Sequence, residues 1–269
     1  MLDWESRALW GALIAYVLGG SFAVGAAVMG KRVERLVLAL IVAGLLLHTA
    51  SLGLRWVRLG HGPFVTLFEI LSSNIWSLLV VYAIAYRMVR AVRPTAAIVM
   101  PVLFVMMGWL LTASPQAGHL PSTYHTIWLY IHVGLGKVFL GAALIAVGLA
   151  GVILLREAGW ARVAALPAND RVDELAYRFL ALGLVFESLM LIAGAIWAQD
   201  AWGRYWAWDP LETWAFITWL SLVFALHLRF TLKPGPRAGA IMAITVFVLA
   251  FLTFFGVPFI STAPHKWAI

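Results

Sequence analysis

The sequence contains no cysteine, which excludes disulfide bonds, thiolate ligation of a metal and thiol redox chemistry within this chain. Charged residues are also scarce: they make up 12% of the 269 residues, whereas a soluble domain averages roughly 25%. Hydrophobic residues make up 63%, and the mean hydropathy is +0.93. Because a water-soluble fold needs a polar surface, this composition indicates a protein that lies in a lipid bilayer.

The apolar residues fall into eight segments, each about as long as the roughly 20 residues that a membrane-spanning helix needs. No connection is long enough for a separate domain, so residues 1–269 are predicted to form one all-α transmembrane domain with about eight helices. The N-terminus lacks the basic region and the short apolar run of a signal peptide, so the first segment is predicted to be a retained helix. The predicted spans are 8–29, 36–57, 66–88, 95–113, 126–155, 174–198, 211–231 and 238–260.

Acidic residues are in the minority, with 12 against 19 lysines and arginines, and the basic residues are unevenly placed. Thirteen of them lie in four alternate connections, which is typical of cytoplasmic loops and indicates orientation rather than nucleic-acid binding. Both termini are then predicted to be non-cytoplasmic, on the same side as connections 58–65, 114–125 and 199–210 and the tail 261–269. The basic residues are Lys31, Arg32 and Arg35; Arg87, Arg90 and Arg93; Arg156, Arg162, Arg171 and Arg178; and Arg229, Lys233 and Arg237.

Tryptophan is concentrated in one stretch: six of the 14 lie between Trp197 and Trp219, in WAQDAWGRYWAWDPLETWAFITW. An aromatic belt at the membrane interface explains two or three of them. It does not explain Trp202, Trp206 and Trp208, which are predicted to lie in the connection 199–210. Flat indole rings on this connection suit a large, flat, apolar ligand such as a porphyrin.

The residues around this connection predict its local structure. Asp209 is a typical N-cap for the seventh helix, with proline next and Glu212 at the third helical position. Gly203 permits a tight backbone at the other end of the connection. Arg204, between them, is equally well interpreted as a partner of a propionate carboxylate or as a surface cation of the membrane interface.

The string WGRYWAWDPLETW (202–214) resembles the tryptophan-rich WWD signature of the haem-handling proteins of cytochrome c biogenesis. That superfamily includes the CcsA/ResC, CcmC and CcmF proteins. The resemblance extends to HGPFVTLFEIL (61–71), STYHTIWLYIHV (122–133) and AFITWLSLVFALHLR (215–229). It covers roughly residues 45–269, and the eight segments are most similar to the CcsA/ResC branch.

The resemblance implies a multi-pass protein of the bacterial inner membrane that binds haem b on its outer face. It implies delivery of that haem for covalent attachment to the CxxCH motif of an apocytochrome c. The chain would then be a subunit of a cytochrome c haem lyase (synthase) complex with a ResB/CcsB-like membrane protein. Two alternatives stay open: a CcmC-like haem chaperone or exporter without synthase activity, and a haem-free scaffold or permease subunit whose tryptophans bind a partner.

The resemblance also implies the ligands of the iron. His132 and His265 match the two external histidines of the family and are implied to be the axial ligands. Helix geometry puts His132 about 13 Å below the outer end of the fifth helix, and His265 follows the last helix on the same predicted face. The implied cofactor-binding residues are Trp202, Arg204, Trp206, Trp208, Asp209, Trp214 and His227.

His227 lies near the inner end of the seventh helix and matches a family histidine implicated in a second, intramembrane haem site; the alternative is an interface histidine beside Arg229. His48 is predicted not to be its partner, because the two differ in depth by more than 10 Å. A second chain is predicted to supply that ligand. The remaining histidines, His61, His119 and His125, are predicted to lie in outer loops, the last two solvated.

Two further charges interrupt apolar segments. Lys137 and Glu187 are predicted at similar depths, about 21 Å and 19 Å below the outer ends of their helices. We expect a structural ion pair between them, with a proton or haem path as the alternative. Glu69 matches a family position, but the sequence assigns no role to it.

Overall fold

The computed structural model describes residues 2–160 and 167–260. Within these ranges the regular secondary structure is helical, and eight helices are long and apolar enough to cross a membrane. The predicted all-α, multi-pass fold is therefore confirmed. The helices are α1 Leu2–Met29, α2 Glu34–Leu59, α3 Leu67–Met88, α4 Ala96–Thr112, α5 Ile127–Glu157, α6 Asn169–Trp202, α7 Pro210–Thr231 and α8 Pro236–Phe251, with short 3₁₀ helices Arg90–Thr95 and Ser122–Tyr124.

Helix α6 extends beyond its predicted span at both ends: it begins at Asn169 and ends at Trp202 rather than spanning 174–198. Trp202 therefore lies in the last turn of α6, and the prediction that it belongs to a connection is wrong. The helix ends at Gly203, which has a left-handed backbone (φ +73°) and donates its N–H to the Gln199 carbonyl. Gly203 suits this helix end because a residue without a Cβ adopts the left-handed conformation at little cost.

The structure divides into two compact units. Unit 1 contains α1 to α4. Its core is apolar and aromatic, with Tyr16, Ile41, Leu78, Tyr82 and Met100 almost fully buried. A second buried set is polar: the His48 imidazole is bonded to the Ser72 hydroxyl (2.9 Å) and lies 3.4 Å from the Tyr16 hydroxyl.

Unit 1 also contains an ion cluster at the end where α1 begins and α2 ends. Arg55 is bonded to the carboxylates of Glu5 (2.9 Å) and Glu69 (3.0 Å), and its side chain is only 3% exposed. Glu69 in addition closes a capping box with Thr66 at the start of α3. These contacts give Glu69, for which the sequence assigned no role, a structural one.

Unit 2 contains most of α5 together with α6, α7 and α8. Beyond α8 the chain continues as a π-helical turn, Leu252–Gly256, and a short helix, Val257–Ile260. The hydroxyl of Thr253, in the π-helical turn, lies 2.9 Å from that of Thr218 on α7, and both donate to the Trp214 carbonyl. These bonds join α7 to the end of α8.

The predicted ion pair between Lys137 and Glu187 is wrong. Glu187 is buried, takes part in no ion pair among the described residues, and its Oε2 has no hydrogen-bond partner. Gly136 faces α6, since a Cβ added to it would lie 2.8 Å from the Met190 sulfur. Each helical residue is turned by about 100° from the one before, so Lys137 leaves the face that meets α6, whereas Glu187 lies within about 60° of Met190.

Candidate haem site

His132 lies on α5 against the backbone of α6. Its Nδ1 is 2.9 Å from the carbonyl oxygen of Met190. A Cβ added to Gly194 would lie 2.7 Å from that Nδ1, a distance too short for any side chain. Gly194 therefore allows the imidazole to approach α6 closely enough for the bond.

This bond fixes the protonation of the imidazole ring. A carbonyl oxygen only accepts hydrogen bonds, so Nδ1 must carry the proton. In the neutral ring, Nε2 then carries the lone pair that a metal ion requires. Histidines that ligate metals usually have this arrangement, with the second nitrogen bonded to a carbonyl or carboxylate.

Trp197 connects His132 to the neighbouring aromatic residues. Its indole is buried and stacks on the imidazole, with ring centroids 5.9 Å apart and planes 29° apart. The indole N–H donates to the Thr123 carbonyl (2.9 Å), and Tyr124 and Trp202 contact the ring at tilted angles. Burial raises the pKa of the Tyr124 phenol above its ordinary value, so this group stays neutral. His132 is thus held in place from one side by aromatic rings.

A second aromatic cluster lies at the start of α7. Trp206 and Trp208 meet edge to face (5.6 Å), and both meet the ring of Phe216 edge to face. Phe216 stacks on Trp219, whose indole N–H donates to the Ser188 hydroxyl on α6 (2.8 Å). The second cluster is thereby joined to α6 as well as to α7.

Trp208 has an unusual backbone. Its φ is +58°, a left-handed conformation that costs a bulky residue about 1–3 kcal/mol. The Glu212 carboxylate stabilises this turn by accepting bonds from the N–H groups of Ala207 (2.7 Å) and Asp209 (3.4 Å). The result is an indole ring that is 66% exposed although it lies in the middle of an aromatic cluster.

The predicted capping box at Asp209 and Glu212 is confirmed: the Asp209 carboxylate accepts the Glu212 N–H at 2.9 Å. Two further groups fit an anionic, flat ligand. The buried indole N–H of Trp206 has no hydrogen-bond partner among the residues that the structure describes, and the side chain of Arg204 is exposed. Trp214, in the second turn of α7, is half-buried.

The other histidines differ in exposure. His119 and His125 are exposed, as predicted, whereas His61 is buried and its Nδ1 bonds the Gly62 carbonyl. His227 is exposed on α7, on the side opposite the buried residues Leu222 and Leu226. His265 lies outside the described residues, so its ligand role stays a prediction.

Sequence reasoning missed the residues that position His132. Gly194 and the Met190 carbonyl are contacts between helices, and the sequence signal was only a glycine within an apolar helix. Trp197 was grouped with the interface tryptophans, although it is buried. Arg55 was also missed; its signal was a cation inside an apolar segment.

These features define a class of protein: all-helical, multi-pass membrane proteins that have an aromatic site beside a histidine. The family model for cytochrome c assembly proteins matches residues 63–265, and the chain belongs to that family.

Individual relatives agree with this assignment. The chain is similar to the cytochrome c biogenesis protein CcsA of Prochlorococcus marinus (strain MIT 9301), with 28% identity over 99% of this chain and 96% of the relative. It is 30% identical to CcsA of Guillardia theta over 81% of each chain. Among solved structures, cytochrome c haem lyase CcmF matches with a TM-score of 0.72 and 20% identity, over 93% of this chain and 46% of that one. The chain spans less than half of CcmF, and the likeness shows a shared fold.

Proposed function

We propose that unit 2 holds haem b and presents it for covalent attachment to apocytochrome c, with His132 and His265 as the axial ligands. The observation that carries the proposal is the Nδ1 bond of His132 to the Met190 carbonyl. It leaves the ring in the tautomer that ligates iron, and it holds the imidazole in one orientation.

The aromatic residues of the WWD region supply the remaining contacts. Trp202, Trp206, Trp208 and Trp214 offer indole faces for a porphyrin, and Asp209 holds the loop through its cap. The indole N–H of Trp206, which has no partner in the described part of the chain, and the exposed guanidinium of Arg204 would be donors for propionate carboxylates. The donor set therefore fits a dianionic tetrapyrrole.

When bound, haem supplies two vinyl groups for reaction with the thiols of a CxxCH motif, so the absence of cysteine here is no obstacle. The contribution of this chain is to hold the haem in position for that reaction. His132, held between α5 and α6, would ligate the iron, and the exposed Trp208 ring would contact the porphyrin. Holding two reactants in one geometry is a large part of catalysis in such a reaction.

The proposed setting is the bacterial inner membrane, with both termini and the haem site on the periplasmic side. The basic connections support this orientation. A ResB/CcsB-like protein is the proposed partner and the CxxCH apocytochrome the proposed substrate. Family membership and the similarity to CcsA proteins support that assignment.

Replacing His132 by alanine is expected to lower haem retention by roughly tenfold or more, because an axial ligand is lost. The measurement is the Soret absorbance per mole of protein, purified from haem-replete cells. His125→Ala is the matched control, since His125 is an exposed histidine in the connection just before α5. Colourless wild-type protein, or equal losses in both variants, would contradict the proposal.

His227→Ala tests the second site. An ionisable side chain exposed on a membrane helix is costly in lipid, so we expect a partner helix to cover it and a haem to lie between the two chains. In the complex with the ResB/CcsB-like protein, the variant is expected to lose about half of the haem, because one of the two proposed haem sites loses its ligand. Unchanged haem in an intact complex would show that His227 is an interface residue only; His119→Ala is the control.

A further inference from the structure

A cavity of about 320 Å³ lies within unit 1, at the end where α1 and α3 finish and α2 and α4 begin. Its apolar side is made of small residues of α1, Ala23, Ala26 and Ala27. The volume is at the lower end of the roughly 300–1,000 Å³ of small-molecule sites. The cavity is thus large enough for a ligand group. Its lining residues lie between Ala23 and Ala96, far along the chain from the tryptophan-rich residues 202–214.

The polar side of the cavity is cationic. Lys31, Arg32 and Arg93 line it, and Glu34 is the one carboxylate among the lining residues. Among the described residues, none of the three cations forms an ion pair. Three more arginines lie nearby in the chain without lining the cavity: Arg35 in the first turn of α2, Arg87 in the last turn of α3, and Arg90 at the start of the 3₁₀ helix. The positive-inside rule explains cations in this region, but it does not explain a cavity between them.

Arg93 is held in a defined position. Its Nε donates to the Tyr86 carbonyl (3.2 Å), and the Tyr86 hydroxyl donates to the Glu34 carbonyl (3.1 Å). These bonds join α3, α2 and the 3₁₀ helix that precedes α4, and they leave the terminal nitrogens of the guanidinium for another acceptor. A guanidinium fixed in this way is suited to bidentate recognition of a phosphate.

We propose that this cavity binds the phosphate of an anionic phospholipid from the cytoplasmic leaflet. The three cations contact the phosphate, and the alanine surface of α1 contacts the glycerol and the start of an acyl chain. Basic pockets between membrane helices on the cytoplasmic side are a known way to bind such head groups. The bound lipid would offset the excess positive charge of a lining that has three cations and one carboxylate.

The test is native mass spectrometry of the full chain released from nanodiscs that contain phosphatidylglycerol and phosphatidylcholine. Wild type is expected to keep one phosphatidylglycerol in preference to phosphatidylcholine. Arg32→Gln with Arg93→Gln is expected to weaken its retention by roughly 30-fold. The matched control, Arg35→Gln with Arg90→Gln, removes the same charge three residues along the chain from Arg32 and Arg93, at positions that do not line the cavity, and is expected to retain the lipid.

A second variant keeps every charge. Ala27→Leu fills the cavity from the α1 side and is expected to exclude the lipid, while circular dichroism reports whether the helices are intact. Equal loss in the control double variant, or full retention by Ala27→Leu, would overturn the proposal, because binding would then be diffuse attraction to a basic surface. A further arm adds millimolar inorganic phosphate: displacement of the lipid by phosphate alone would assign the site to free phosphate instead.

Discussion

Replacing Arg55 by alanine is expected to lower the free energy of unfolding of unit 1 by about 3–5 kcal/mol, the usual cost of breaking a buried ion pair from one side. The arginine is bonded to the carboxylates of Glu5 and Glu69 and to the backbone carbonyls of Pro115 and Gln116. Its removal leaves the buried Glu69 carboxylate without its cation and the Glu5 carboxylate with Arg58 alone. The carbonyls of the connection after α4 also lose their donor. The substitution therefore removes bonds that join α2 to α1, to α3 and to this connection.

The effect is measured by thermal unfolding of the detergent-solubilised protein, followed by tryptophan fluorescence. Arg58→Ala is the control, because Arg58 contacts only one carboxylate of the cluster, that of Glu5, and its side chain is 21% exposed. We expect it to cost about 1 kcal/mol, as for a partly exposed pair. If the two variants unfold at the same temperature, the cluster does not stabilise the fold in the way described.

A combined variant separates charge from packing. Arg55→Met with Glu5→Gln and Glu69→Gln replaces the ion cluster by neutral groups of similar volume. Such replacements often recover stability, so this triple variant is expected to unfold at a higher temperature than Arg55→Ala. A triple variant as unstable as the single one would show that side-chain packing, not the charge, is responsible.

The sequence predicted best those features that depend on neighbouring residues. The eight apolar segments became eight helices, and the Asp209–Glu212 cap formed because capping needs only four consecutive residues. Gly203 ends α6 for the same local reason. The end of α6 was placed too early because its last turn contains two polar residues, Gln199 and Asp200, and so does not continue the apolar run.

Features that depend on contacts between helices were not predictable in this way. The distance of each residue from its helix end placed Lys137 and Glu187 at similar depths in the membrane. Whether two side chains meet also depends on the rotation of each helix about its axis. The same rotation brings His132 to Gly194 and the Met190 carbonyl. Depth alone identified His132 as a candidate, whereas its tautomer required the structure.

The exposed position of Trp208 depends on one carboxylate. Glu212 is 7% exposed, and its carboxylate accepts the N–H groups on both sides of Trp208. Glu212→Ala removes the acceptor and leaves two N–H groups unsatisfied, at about 1–3 kcal/mol each where they are buried. The left-handed backbone of Trp208 then loses its stabilisation, and the residue is expected to return to an ordinary conformation.

Under the proposed function, this change is expected to weaken haem binding by roughly tenfold, since loss of supporting contacts around a metal site costs 10–100-fold. It leaves His132 and its bond to Met190 intact. The measurement is haem affinity by Soret titration, with tryptophan fluorescence to report the environment of the loop. Glu212→Gln keeps an oxygen acceptor and is expected to stay within about threefold of wild type, since a neutral hydrogen bond replaces a charged one. Wild-type affinity in Glu212→Ala would mean that the Trp208 indole is not part of the haem contact, and that His132 and the buried Trp197 cluster hold the porphyrin without it.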